Sequence, residues 1–352
     1  MDFPITFNDH GTASYPEKAA SWLAQPLIKA IKNQESSNAI IERKVNKAIT
    51  RVLLLNCLDP CYGHVLWKLF NAYHYREVEP PEGLAVLIPK NCVWLVPDFV
   101  AEIWSVEVEL DLLGIPIPSI DHFIREQTDQ YESVRLLPGL THIDHQDLDL
   151  KSFLRTTPFD LSDFQKQSTC ITFVWREDRF WLGSAWEEWL SLFATKYNVA
   201  IINKWLVGRQ ISKMKQVAAQ LRQQLPATKF HVTGLGRQGV FPGHFNDLRR
   251  LKADSKTEME WCEVYAKSHL VIGVHGSNMI IPTALSAGFI ELLPKHKVPF
   301  MTEDILMKHP ARFQTFLGRH LDLYTATEVI VEHAVSMIED FSYLYKNTMA
   351  KP

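Results

Sequence analysis

The chain has 352 residues, 37 basic and 40 acidic, and a net charge of −3. That length suits two domains of ~150–200 residues rather than one simple core. The balanced charge argues against a nucleic-acid binder working through a basic face and against a polybasic membrane protein.

The opening MDFPITFNDHGTASYPEK begins with an acid and has no apolar region of the secretory kind. No apolar run approaches the ~18–20 residues that span a bilayer. Five cysteines, Cys57, Cys61, Cys92, Cys170 and Cys262, form an odd, sparse set. Reduced thiols and a cytoplasmic protein are the expectation.

Along the chain, β-rich apolar runs alternate with helix-period segments, which predicts an α/β protein with doubly wound parallel sheets. The predicted strands are 51–56, 84–89, 134–139, 170–176, 199–203, 229–235, 269–275 and 289–294. SAWEEWLSLFATKY opens with Ser184 and Glu187 at capping-box spacing, as SKTEMEWCEVYAKS does with Ser255 and Glu258. In ISKMKQVAAQLRQQL, Ile211, Met214, Val217, Ala218, Leu221 and Leu225 form one helical stripe. The polar stretch 144–168 reads as the inter-domain connection. We therefore expect an acceptor-side domain over 1–160, a nucleotide-binding domain over 161–326, and one amphipathic helix over 327–352 returning to the first domain.

Four segments could carry chemistry. CLDPCYGHVLWKLF puts Asp59 and His64 where a strand hands over to a helix. An imidazole there suits a general base, or is a core histidine with a backbone partner. In CITFVWREDRFW, Arg176 to Arg179 follow a buried strand; Arg176 could grip a diphosphate with its planar fork, or the cluster is a surface ion-pair loop. GLGRQGVFPGHFNDLRRLK carries Arg237 and Arg249 in a long glycine-rich loop. VIGVHGSNM ends a strand in His275, Gly276, Ser277 and Asn278. That turn is either an ordinary corner, capped by Ser277 or Asn278, or a phosphate site at a helix start. HIDH at 142–145 has ligand-type residues without a further partner at useful spacing, so no metal is expected there.

The order CITFVWRED, TEMEWCEVYAKS, LVIGVHGSNM and FIELLP resembles the glycosyltransferase family that includes capsular-polysaccharide, plant-xylan and extracellular O-linked N-acetylglucosamine transferases. The resemblance covers roughly residues 168–300, with an echo at YGHVLWKLF. The Ala-Gly of that family's HGAG turn is Ser277-Asn278 here, and its Glu-Gln pair corresponds to Glu258 and Glu260.

The resemblance implies a GT-B fold, two Rossmann-like domains facing a cleft, and an inverting transfer from a nucleotide sugar to a glycan or glycolipid hydroxyl. It implies no metal and no cofactor, with positive side chains in the metal's place. His64 would be the base, with Asp59 second. Arg176, Arg179, Arg237, Arg249, Glu258 and the 275–278 turn would hold the donor. No nucleic-acid partner and no membrane span are expected, while peripheral membrane contact stays open. A fucosyltransferase-like enzyme using GDP-fucose, a pyruvyl transferase using phosphoenolpyruvate, and a non-catalytic glycan- or partner-binding module remain alternatives.

Overall fold

Each half of the chain is organised by its own sheet, and the apolar runs of the sequence supply the central strands. The computed structural model describes residues 6–7, 13–14, 39–114, 117–141, 148–302, 305–306 and 311–349. The chain divides into two units, Met1–Ile143 and Asp144–Pro352. HIDH at 142–145 lies outside the described residues.

The first unit contains β1 (Ile40–Val45), β2 (Arg51–Asn56), α1 (Tyr62–Phe70), β3 (Glu82–Pro89), β4 (Glu102–Glu107), α2 (Pro118–Thr128) and β5 (Ser133–Leu137). Their spatial order is β1-β4-β3-β2-β5. The last four are mutually parallel, and β1 runs antiparallel on β4. Val52, Leu54, Ala85, Leu87, Trp104 and Val106 form one core with Ile117 and Ile120 from the start of α2. β1 (IIERKV) escaped the sequence reading because it is a mostly exposed edge strand. Its charges are those that keep a sheet edge from pairing further.

That edge is pinned by a buried carboxylate. Glu102 accepts from Arg43 Nε and Nη2 at 2.8 and 2.9 Å, from Trp104 Nε1 at 3.0 Å, and from the Tyr131 hydroxyl at 2.7 Å. Burial pushes the Glu102 carboxyl up, but Arg43, Trp104 and Tyr131 together hold it below the usual carboxylate value.

The second unit contains β6 (Cys170–Trp175), α3 (Ala185–Tyr197), α4 (Ala200–Gln224), β7 (Lys229–Gly234), β8 (Phe245–Asp247), α5 (Ser255–Tyr265), β9 (Leu270–Val274), α6 (Ile280–Leu285), β10 (Gly288–Leu293), α7 (Ala311–Leu317), β11 (Gly318–Asp322), α8 (Thr327–Glu339) and α9 (Phe341–Met349). The six strands are all parallel, in the order β8-β7-β6-β9-β10-β11. By position in the chain that is third, second, first, fourth, fifth, sixth, the doubly wound order of a dinucleotide-binding sheet. The expectation of α/β architecture with two largely parallel sheets therefore holds. Val207, Ile211, Met214, Val217, Ala218 and Leu221 of α4 pack with Ile330, Val331, Ala334 and Met337 of α8 in one core under β6, β7 and β9.

Four local expectations are corrected. VAIIN (199–203) opens a 25-residue helix instead of forming a strand: Asn198 ends α3 in a left-handed conformation, and α4 begins at Ala200. Ile201 is 76% exposed while Ile202 packs on the core, so only one face of the run is covered, unlike a strand buried on both faces. The helix at 255 is capped by Asp254, which accepts from Thr257 N, not by Ser255. The terminal helix is two helices parted at Asp340, which is the C-cap of α8. The polar stretch after 144 belongs to the second unit, where Phe159 and Phe164 pack with Ala287, Leu317 and Phe341.

The Glu102 knot makes a testable contribution. Its pKa is depressed on folding, so its stabilisation is complete above the ordinary value of 4.5 and is lost as pH falls through the lower folded value. Glu102→Gln should lower the melting temperature at pH 7 and narrow the gap to the wild type below about pH 4, as read by thermal melts across pH.

Candidate functional site

In the second unit the strand order reverses between β6 and β9, and ligands of open α/β sheets bind beyond the carboxyl ends of strands at that reversal. The residues there are 176–183 after β6, the loop 235–250 after β7, and the turn 275–279 after β9. Residue type alone marks these segments as candidate anion contacts, and the fold brings them to one end of the sheet.

Arg179 and Gly276 form the closest junction. Arg179 Nη1 lies 3.4 Å from the His275 carbonyl and 3.5 Å from Asn278 Oδ1. Gly276 has φ +148°, and a Cβ placed there would fall 1.3 Å from Arg179 Nη1. Only glycine lets the guanidinium lie on this turn. Both hydrogen bonds are long, and among the described residues Arg179 has no carboxylate at salt-bridge distance. Asn278 Nδ2 is buried without a hydrogen-bond partner among the described residues. A buried donor left unpaired costs about 1–3 kcal/mol, so an acceptor brought beside it would be welcome. Neither Ser277 nor Asn278 caps a helix: Ser277–Met279 is a 3-10 turn, and six-residue α6 starts after it without a side-chain cap.

Arg176 departs from its expected role. Its Nε and Nη2 grip Asp178 at 2.7 and 2.6 Å, so its fork is already occupied. Burial pushes the Asp178 carboxyl up, but Arg176 and Arg179 hold it below the ordinary range. Glu177 ties down the neighbouring loop by accepting from Trp175 Nε1, Gln238 N and Gln238 Nε2 at 3.2, 2.7 and 2.9 Å. Gly236, with φ +106°, leaves room for that carboxyl.

Arg249 is likewise a scaffold rather than a ligand. It is 1% exposed, sandwiched between the Trp175 and Phe241 rings at 4.8 and 4.7 Å. It donates twice to Asp247 and to the Gln238 and Gly239 carbonyls. The loop of Arg237 is thus built around the buried Arg249, and Arg237 itself is exposed without a salt bridge among the described residues.

His275 is also buried. Its Nδ1 donates to Glu291 Oε2 at 2.8 Å, and His320 Nδ1 lies 3.4 Å from the same oxygen. Glu291, in the middle of the apolar β10, is fully buried. The pair anchors the turn to the next strand. A lone acid inside GFIELL was the sequence signal for it; His320 had none. Glu258 sits in the first turn of α5, which begins at the same end of the sheet. Burial pushes its carboxyl up to about 7, and that carboxyl has no hydrogen-bond partner among the described residues.

The first unit has its own reversal, between β2 and β5, and Asp59 and His64 follow β2 there. Asp59 Oδ1 accepts from Cys61 N at 2.8 Å and from His64 Nδ1 at 3.1 Å. Lys68 Nζ lies 2.9 Å from Oδ2. Burial pushes the Asp59 carboxyl up, but His64, Lys68 and the Cys61 amide bring it down to about 2. Asp59 therefore stays ionised and fixes the tautomer of His64, whose side chain is half exposed. With the proton on Nδ1, Nε2 is the acceptor of a neutral ring.

Among the described residues no group of three or more His, Cys, Asp or Glu could hold a metal, and no helix is long and apolar enough to cross a membrane. None of the five cysteines is in a disulfide. No protein-family model matches the chain, and no curated protein matches it. Among solved structures the chain is similar to E. coli ADP-heptose LPS heptosyltransferase II. The two share 11% identity over 82% of this chain and 98% of that one, with a TM-score of 0.41. An E. coli heptosyltransferase solved with ADP gives 11% identity, 82% and 99% coverage, and a TM-score of 0.41.

Arg179 and Arg249 should separate by experiment. Arg179→Ala should leave the melting temperature near that of the wild type and weaken any diphosphate bound at this turn about 10–100-fold, the loss of one or two charge-assisted hydrogen bonds. Arg249→Ala should instead destabilise the fold by about 3 kcal/mol, because it strands Asp247. Titration calorimetry and denaturant melts on both variants would check this.

Proposed function

We propose that this protein is a glycosyltransferase that moves a sugar from a nucleoside diphosphate sugar to a hydroxyl of a glycan or glycolipid. The observation that carries the reading is the Arg179 guanidinium laid on the Gly276 turn, at the strand reversal of a dinucleotide-type sheet and with the unpaired Asn278 amide beside it. That is a place for a diphosphate: planar charge, a neutral donor and a close backbone.

In this reading the second unit binds the donor. Arg179 and Asn278 hold the diphosphate and stabilise the negative charge that develops on it as the glycosidic bond breaks. Arg237 helps from its exposed position, and Glu258 accepts a hydroxyl of the nucleotide. Fixed positive charge does the work that a divalent ion does in other transferases, so transfer proceeds without added metal. The first unit binds the acceptor. His64 Nε2 takes the proton of the attacking hydroxyl, and Asp59 stabilises the imidazolium that results. Attack from the face opposite the leaving diphosphate inverts the anomeric centre.

A thermal-shift panel of adenosine, uridine, guanosine, cytidine and thymidine diphosphates, with and without magnesium, plus phosphoenolpyruvate, tests the donor half. One diphosphate at ~100 times its dissociation constant should add about 2.7 kcal/mol of stability without magnesium. A response to phosphoenolpyruvate alone would replace this reading with pyruvyl transfer, and silence throughout would favour a non-catalytic module. His64→Ala should lower the transfer rate by about 10²–10⁴ and leave diphosphate affinity near that of the wild type. Transfer assays beside calorimetry read the two effects apart.

A further inference from the structure

The crossover from β6 to β7 has an unusual distribution of charge and apolar surface. Residues 189–246 contain eight Lys and Arg and no Asp or Glu, in a chain whose net charge is −3. The segment begins within α3, a helix turned inside out. Its buried residues are Glu187 and Ala194. Glu187 accepts from Gly183 N at 2.6 Å and from Arg209 Nε at 3.0 Å, with Lys213 Nζ 3.7 Å away. The apolar residues point outward instead. Trp186, Trp189, Phe193 and Tyr197 follow one another along the exposed face, with ring centroids 5.0, 5.5 and 4.7 Å apart. Leu192 beside them is 66% exposed, and the apolar surface continues onto α4 through Ile201 and Trp205.

A surface helix normally buries its apolar stripe. Here the inward positions go to a salt-bridged carboxylate, so the stripe stays uncovered among the described residues of the second unit. Large exposed apolar patches mark binding surfaces, and the surrounding charge says of what kind. Lys196 and Arg209 stand beside the aromatic rings, 5.3 Å from the Tyr197 centroid and 5.9 Å from that of Trp205. Exposed Lys204 lies between them in the chain.

We infer that this face rests on a lipid bilayer containing anionic phospholipid, with α3 and the start of α4 lying in the headgroup layer. Trp and Tyr rings favour that depth, and an interfacial helix inserts its apolar face about 5–10 Å. The lysines and Arg209 keep their charges in the headgroups while their stems cover apolar surface. A second copy of the chain fits less well, because a two-fold contact would set this basic face against itself. Nucleic acid fits less well too: the rings are stacked on one another, and Leu192 and Ile201 offer a base nothing to stack on. The inference does not rest on the donor reading, although a glycolipid acceptor would be met at such a surface.

Vesicle co-sedimentation of the full-length protein tests it, using phosphatidylcholine with and without phosphatidylglycerol. The protein should pellet with the anionic vesicles, less so at high salt, and stay in solution with phosphatidylcholine alone. The triple variant Trp186→Ala, Trp189→Ala, Tyr197→Ala should lose binding. Lys196→Ala and Lys204→Ala should each weaken it about fivefold, as expected for about 1 kcal/mol per basic residue. All of these residues are exposed, so the variants should melt with the wild type and keep the diphosphate shift, which separates this result from the donor test. Binding by the triple variant at the wild-type level, or none by the wild type, overturns the inference. So does a wild-type dimer that the triple variant splits in sedimentation velocity, or capture of single-stranded RNA that vesicles do not displace.

Discussion

Parallel strands cannot be joined by tight turns, and this constraint organises everything at the candidate site. Each crossover must leave the sheet at a carboxyl end and return at an amino end. Where the order reverses, between β6 and β9, the two crossovers leave towards opposite sides, and the gap between them is covered by no connection. Arg179 from one branch can then reach the turn of the other, provided that Gly276 has no side chain to block it. The first unit repeats the arrangement on a smaller scale. Among its parallel strands the order β4-β3-β2-β5 reverses between β2 and β5, and Asp59 and His64 sit just beyond β2.

Two arginines at these ends, and Arg43 at the amino end of β4, show how a carboxylate satisfies a cation within the fold. Asp178 occupies the fork of Arg176, Asp247 that of Arg249, and Glu102 that of Arg43. Each pair fixes a loop or an edge by satisfying its charge internally. Arg179 belongs to the same charged cluster as Arg176, yet its partners are a carbonyl and an amide oxygen at long range. Two chemically identical side chains three residues apart thus have different capacities for an anion. The difference lies entirely in what faces them.

This is why the sequence was more informative about the sheet than about the site. RVLLLN, CITFVW and LVIGV are continuous apolar runs because both faces of their strands are covered, and covering is a local property of composition. The edge strands β1, β8 and β11 carry charge or polar groups and gave no such signal, but edge position was not the whole reason. The exposed edge strand β5 was read from its apolar residues, while the buried interior strand β4 (EIWSVE) was missed because Glu102 and Ser105 interrupt its apolar run. The rank of Arg176 over Arg179 depended on a carboxylate two residues away closing back on the guanidinium, which spacing alone does not decide. Arg249 looked like a loop cation because RR follows a glycine-rich stretch. Its burial between Trp175 and Phe241 is a contact between residues 74 and 8 positions away, respectively. His64 and Asp59 stood out separately, as first and second candidates for a base; what the structure adds is their contact, with His64 Nδ1 3.1 Å from Asp59 Oδ1 five residues away.

The segment 176–183 also links two features that lie far apart in chemistry. Gln210 of α4 donates to the Arg176 carbonyl at 2.9 Å and accepts from Trp181 N at 2.6 Å. Two residues further on, Glu187 of α3 accepts from Gly183 N. The backbone that presents Arg179 is therefore held at several points by the same two helices whose outer surfaces carry the aromatic stripe. A side chain that lies on its turn through only two long hydrogen bonds gets its position chiefly from that backbone. An inward-facing Glu187 is thus favourable despite the burial of its charge: it fixes the segment that carries Arg179 on one side and frees the apolar residues of α3 for the other.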